Sequence, residues 1–132
     1  MFTSKKKNTM KKILLFMSVL AISCNSNDDS NDGVTNCTEE FVYGLNVNVK
    51  DAVTNAVLQN GVLVKAVDGT YSETLEIVEN VPTFIGAGER AGSYVVTVSK
   101  EGYQTYTSPV VTVEANVCHV LTETLNVALQ PE

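Results

Sequence analysis

Phe41-Val42-Tyr43-Gly44-Leu45-Asn46-Val47-Asn48-Val49-Lys50 places apolar residues at its odd positions and mostly small or polar ones at its even positions. Successive side chains on a strand point to opposite faces, so this alternation is that of a half-buried β-strand. Outward from it, further β-prone runs fall at about 56–67, 70–78, 83–87, 93–100, 105–114 and 117–129. In these, Val62, Val64, Tyr94, Val96 and Val98 are expected to point inward. Asp68-Gly69 between two such runs is the strongest hairpin signal in the chain. Asn80-Val81-Pro82, the Gly86–Gly92 segment and Lys100-Glu101-Gly102 supply the other breaks. No stretch after residue 24 sustains a helical period. Short strands at this spacing predict an all-β sandwich or barrel of about seven strands. The last run carries a conflict, because Glu123 shares the parity of Leu121, Leu125, Val127 and Leu129. A bulge or break near 122–124 is expected to keep that charge out of the core.

The 132 residues allow one small domain, and with no Trp the core must be built from Val, Leu, Ile and five Tyr. A charged fraction of 18% with 44% apolar residues argues against global disorder. The net charge of −6 is unevenly spread. Lys5, Lys6, Lys7, Lys11 and Lys12 precede residue 13, and all 15 acids follow residue 27. Without its N-terminus the chain carries 4 − 15 = −11. Nucleic acid is not an expected partner, because phosphate binding needs a basic face.

Lys5 to Lys12 form a basic region ahead of the apolar run Ile13–Ile22. That run is short of the roughly 20 residues a spanning helix needs and suits the core of an export signal. A buried helix is the alternative, although no polar face interrupts the run. Met10 is an alternative start, since Lys11-Lys12 would still supply the positive end. Ala21-Ile22-Ser23-Cys24 resembles the lipobox of bacterial lipoproteins, with Ala21 where Leu is usual. The resemblance implies cleavage after residue 23 and lipidation of Cys24, giving a palmitate-type anchor at the outer membrane. At about 0.8 kcal/mol per buried methylene, several acyl chains anchor stably. Ordinary secretory cleavage that leaves Cys24 as a free thiol is the other reading. Residues 24–36 are then an acidic flexible tether with one apolar side chain, Val34. Asp28, Asp29 and Asp32 lack the glycine and distal Glu of a calcium loop. The acidic stretch after Cys24 resembles the export signal of surface-displayed lipoproteins, which leaves either face of the outer membrane open.

The segments Val47-Asn48-Val49-Lys50-Asp51-Ala52, Asn55-Ala56-Val57-Leu58 and Gly61-Val62-Leu63-Val64 resemble the opening of carboxypeptidase regulatory-like domains. Gly92-Ser93-Tyr94-Val95-Val96-Thr97-Val98, running on to Gly102-Tyr103, is similar to their later strand and turn. This resemblance covers about 41–129 and implies a single Ig-like or transthyretin-like β-sandwich over 37–132, of a kind found on envelope lipoproteins. Asn55 stands where such domains often have Gly, and Asn also accepts positive φ.

Candidate chemistry is sparse. Gly86-Ala87-Gly88-Glu89-Arg90-Ala91-Gly92 imitates a dinucleotide loop, but its last spacing is one residue too long and no helix follows to hold a phosphate. It is expected to be a flexible loop. Cys118-His119 imitates a nucleophile–base pair, yet neighbours on a regular strand face opposite ways. Cys37, Cys118 and His119 fall short of a four-ligand zinc site. His119, the only His, defaults to a polar or edge position. The enzymes related to such domains use several His, so the resemblance transfers no catalytic residue, and neither metal nor cofactor is expected.

Three cysteines less a lipidated Cys24 leave Cys37 and Cys118, an even pair in an oxidising compartment. They are expected to form a disulfide between a position four residues before the first strand and the start of the last, which the resemblance supports by implying neighbouring terminal strands. Two buried reduced thiols are the alternative. Tyr71, Tyr103 and Tyr106 are a candidate binding platform for sugars, with cross-strand packing as the competing role. The expected function is a non-catalytic, lipid-anchored envelope module that binds a protein or glycan partner. A structural spacer of an outer-membrane complex and a small hydrolase are the alternatives.

Overall fold

The computed structural model describes residues 35–132. The expected export signal over 1–23, Cys24 and all but the last two residues of the expected 24–36 tether therefore lie outside the described residues. The opening alternation becomes β1 (Tyr43–Asp51), in which Leu45, Val47 and Val49 are buried. Eight more strands follow: β2 (Leu63–Asp68), β3 (Tyr71–Thr74), β4 (Glu76–Ile77), β5 (Phe84–Gly88), β6 (Gly92–Ser99), β7 (Tyr106–Thr107), β8 (Val111–Val113) and β9 (Glu123–Leu129). No helix occurs among the described residues.

The strands form two sheets. One has the order β4-β5-β1-β9, and the other runs β3-β2-β6-β7, with β8 also paired to β6. Between them lies one core to which both contribute, Leu45, Val47 and Val127 from the first and Val64, Tyr94, Val96 and Val98 from the second. All five inward residues expected in β2 and β6 lie on that side, with Val62 half-buried just ahead of β2. β1 is central in its sheet, antiparallel to β5 and parallel to β9 from Leu45↔Glu123 to Asp51↔Leu129. Parallel neighbours need a long crossover, and here the crossover is the rest of the domain. The β1–β9 ladder thus closes the fold.

Nine strands replace the expected seven because two runs are broken. The 70–78 run changes sheets at Leu75: β3 pairs β2, whereas β4 pairs β5. Leu75 itself is buried at the corner and its N–H donates to the Val64 carbonyl at 2.9 Å. The 105–114 run breaks at Ser108-Pro109, where its register against β6 advances by one residue, a β-bulge. Pro109 has no N–H to give the ladder, and the buried Ser108 hydroxyl accepts the Val96 N–H at 2.9 Å. The 56–67 run is shorter than expected. Its first part is irregular apart from a single bridge from Val57 to Lys50, because the chain turns through Asn55 (φ 60°) and Gly61 (φ 71°).

β9 begins only at Glu123, and the buried parity switches from Val120 to Leu125, leaving Leu121 and Glu123 exposed. The expected break falls there. The hairpin at Asp68-Gly69 is also present, shifted by one residue. Asp68 pairs Tyr71, so the two loop residues are Gly69 and Thr70, with Gly69 at φ 59° in the position a type II′ hairpin gives glycine.

One expectation is overturned. Gly86 to Gly92 is not a flexible loop, since Gly86 and Gly88 belong to β5 and Gly92 opens β6. Both glycines of β5 are required by close packing: a Cβ on Gly86 would stand 2.7 Å from Leu75 Cγ, and one on Gly88 would clash with the Cζ–Cε1 edge of the Phe41 ring.

Candidate functional site

Where the start of β1, the end of β5 and the β3–β4 corner meet, the two sheets leave an open groove of about 490 Å³. Four of its lining side chains are large, apolar and solvent-facing: Phe41 (60% exposed), Tyr43 (39%), Ile77 (38%) and Val78 (47%). Phe41 meets Tyr43 edge-on, with ring centroids 5.2 Å apart, and lies against the bare backbone of Gly88. Val42 N–H donates to Glu89 Oε1 at 2.8 Å, which fixes the chain between the two rings.

The groove also holds Glu73 and Glu76. Glu73 shares the inward face of β3 with Tyr71, because Ala66, its partner on β2, is a core residue. Its Oε2 accepts the Tyr71 hydroxyl and the Ala87 N–H, each at 2.8 Å. Ala87 sits at φ 52°, left-handed backbone that is unfavourable for a residue with a Cβ. Burial, reinforced by the hydrogen bond to Glu73, pushes the Tyr71 phenol up to about 12, so it stays protonated and donates. Behind the groove, the Arg90 guanidinium covers the Tyr71 ring at 4.0 Å and binds Asp68 (2.8 Å) and the Tyr94 hydroxyl (2.7 Å). The Tyr94 hydroxyl donates to the Arg90 carbonyl four residues upstream, in the manner of a tyrosine corner.

Tyr71, Tyr103 and Tyr106 are not brought onto one platform. Tyr71 lies on β3 and Tyr106 on β7, opposite edges of one sheet, separated by three strand spacings (roughly 14 Å) across the sheet. They are offset along it as well, since Tyr71 is level with Asp68 of β2 and Tyr106 with Val64. Of these three, only Tyr71 lines the groove, with Arg90 over its ring. The Tyr103 hydroxyl donates to Asp51 Oδ2 at 2.8 Å, while Asp51 Oδ1 accepts the Val53 and Thr54 N–H groups at 2.7 and 2.8 Å. This network shapes the turn after β1. The Thr54 N–H foremost, then Tyr103, holds the Asp51 carboxyl below its ordinary 3.8. Glu89 is likewise held below its ordinary 4.5, by the Val42 N–H first and then by His119. Both groups have lower values folded than unfolded. Their stabilisation is therefore complete above the ordinary values and drains away as pH falls through the native ones. Urea midpoints measured from about pH 6 down to about pH 2 should fall below pH 4.5, and less steeply in Asp51→Asn.

Cys37 and Cys118 form a disulfide with Cα atoms 5.2 Å apart. Cys118 does not stand at the start of a strand as expected. It lies in a turn before β9, with the N–H groups of Cys118 and His119 both donating to Asn116 Oδ1 at 2.8 and 2.9 Å. Beside the disulfide, His119 Nδ1 lies 2.8 Å from Glu89 Oε1 and Nε2 lies 3.1 Å from Thr38 Oγ1. Hydroxyl, imidazole and carboxylate stand in the order of a nucleophile–base relay. However, Thr38 is exposed on the segment before β1, where bulk water competes for its hydroxyl. The triplet clamps that segment and the turn before β9 to the β5–β6 turn. Its members are 30 and 81 residues apart in sequence, and no local motif signals it.

Among the described residues, no three His, Cys, Asp or Glu side chains gather as a metal site requires. No helix among them is long and apolar enough to cross a membrane. No protein-family model matches the chain, and no curated protein matches it.

Proposed function

We propose that this chain is a non-catalytic, lipid-anchored envelope module of the carboxypeptidase regulatory-like kind. In this reading Cys24 carries the acyl anchor at the outer membrane, residues 25–36 are the tether, and the β-sandwich engages a protein or glycan partner. The observation that carries the binding role is the groove. Single exposed apolar residues are ordinary, but Phe41, Tyr43, Ile77 and Val78 are contiguous around one concavity. Apolar walls with a few placed polar groups are the usual makeup of a recognition site. A pure spacer has no use for such a surface, which disfavours that alternative. Over 37–132 the chain has 4 basic and 12 acidic residues, a net charge of −8 that repels nucleic acid.

The anchor is tested by Cys24→Ser. Wild-type protein is expected to partition into the detergent-rich phase and to take up labelled palmitate, and the variant is expected to do neither. Unlipidated wild-type protein recovered from the soluble periplasm contradicts the reading.

A further inference from the structure

We infer that the groove receives a lysine or arginine side chain of a partner protein, its alkyl stem against Phe41 and Tyr43 and its cationic head at Glu73 and Glu76. The inference rests on the binding role just proposed and specifies its ligand. Its basis is charge complementarity within a built concavity. The lining includes two carboxylates and no Lys or Arg, and it belongs to a domain of net charge −8. The only arginine nearby, Arg90, lies behind Tyr71 and is already bound to Asp68 and Tyr94.

The remaining features fit the same occupant. Glu73 is held pointing inward by Tyr71 and the Ala87 N–H, so its charge is fixed in place before any ligand arrives. Pre-positioned carboxylates bind cations at little reorganisation cost. Exposed aromatic rings suit an aliphatic stem and add cation–π attraction for the head group. A neutral sugar needs an open ring face with donors and acceptors around it. Here the Tyr71 face is covered by Arg90, and Glu73 already has the Tyr71 hydroxyl and the Ala87 N–H as its donors, so the groove offers a sugar few free partners and a cation two carboxylates.

The test uses the full Cys24→Ser chain, labelled with 15N, and follows backbone amide shifts. The probes are acetyl-Ala-Lys-Ala-amide, its Gln and Glu counterparts, and the neutral trisaccharide maltotriose. The lysine probe is expected to shift Tyr43, Glu73, Ile77 and Gly88. The Gln probe should bind roughly three- to tenfold more weakly, and the Glu probe more weakly still. Glu73→Gln also removes a support of Ala87, so the exposed Glu76→Gln serves as the second variant and should narrow the gap between lysine and glutamine. Phe41→Ser should weaken both probes together. Equal binding of the lysine and glutamine probes overturns the inference, as does silence of the groove at about 20 mM lysine probe. Maltotriose saturating the groove while the lysine probe does not overturns it too, yet leaves the binding role standing. The anchoring part of that reading stands or falls separately, on the acylation of Cys24.

Discussion

Replacing Cys37 and Cys118 together by alanine lowers the unfolding free energy by about 4–5 kcal/mol, the figure the chain-entropy model gives for a loop of this length. The bridged residues are 81 apart, so reduction frees most of the domain in the unfolded chain. A domain of this size has only roughly 5–15 kcal/mol in total, and a thermal midpoint falls about 4–8 °C per kcal/mol. The variant is thus expected to melt roughly 20 °C or more below the wild type. The location compounds the effect. The bridge joins the segment leading into β1 to the turn before β9, at the end where the parallel ladder begins with Leu45↔Glu123. Without it, the Thr38–His119–Glu89 clamp holds these segments only by exposed polar contacts. Calorimetry of oxidised, reduced and double-alanine protein measures the difference. A midpoint within a few degrees of the wild type refutes the structural weight given to the bridge.

Leu45→Ala is expected to cost about 2–5 kcal/mol, toward the upper end of that range. Leu45 is 0% exposed and sits mid-sheet, with Gly86 of β5 on one side and Glu123 of β9 on the other. The glycine can supply no atoms to the vacated space. A Cβ at Gly86 already has no room under Leu75, and the β1 backbone is held by ladders on both edges. The cavity therefore stays open, which is the condition for a large penalty. Leu63→Ala is the control: at 51% exposure on β2 it should change stability by less than about 0.5 kcal/mol. Urea denaturation with a common m-value separates the two, and equal losses would mean that β1 is not the central strand of the core.

Strands whose identity rests on their own alternation were legible in the sequence. β1 and β6 each bury alternate residues on one face, so period two alone reveals them. The two breaks at Leu75 and Ser108-Pro109 were not legible as such, because their cause is a change of pairing partner or register, which the local pattern does not encode. Gly86 and Gly88 misled for a related reason. Glycine reads locally as a turn residue, whereas here it makes room for Leu75 and Phe41 from distant parts of the chain. The pairing of Cys37 with Cys118 followed from counting. The groove did not, since Phe41 meets Gly88 through the long-range β1–β5 pairing and Glu73 joins them only through the sheet-switching corner between β3 and β4. Tyr71 was singled out for its type, but its neighbours in space are not those it has in sequence.

The most direct measurement is the intact mass of the protein isolated from native membranes, alkylated without reduction. The expected species begins at Cys24, carries the mass of its acyl chains and takes up no alkylating label, because Cys37 and Cys118 are joined and Cys24 is acylated. A chain that keeps residues before Cys24, lacks acyl groups and is labelled at its thiols would contradict the lipid-anchored, disulfide-closed domain.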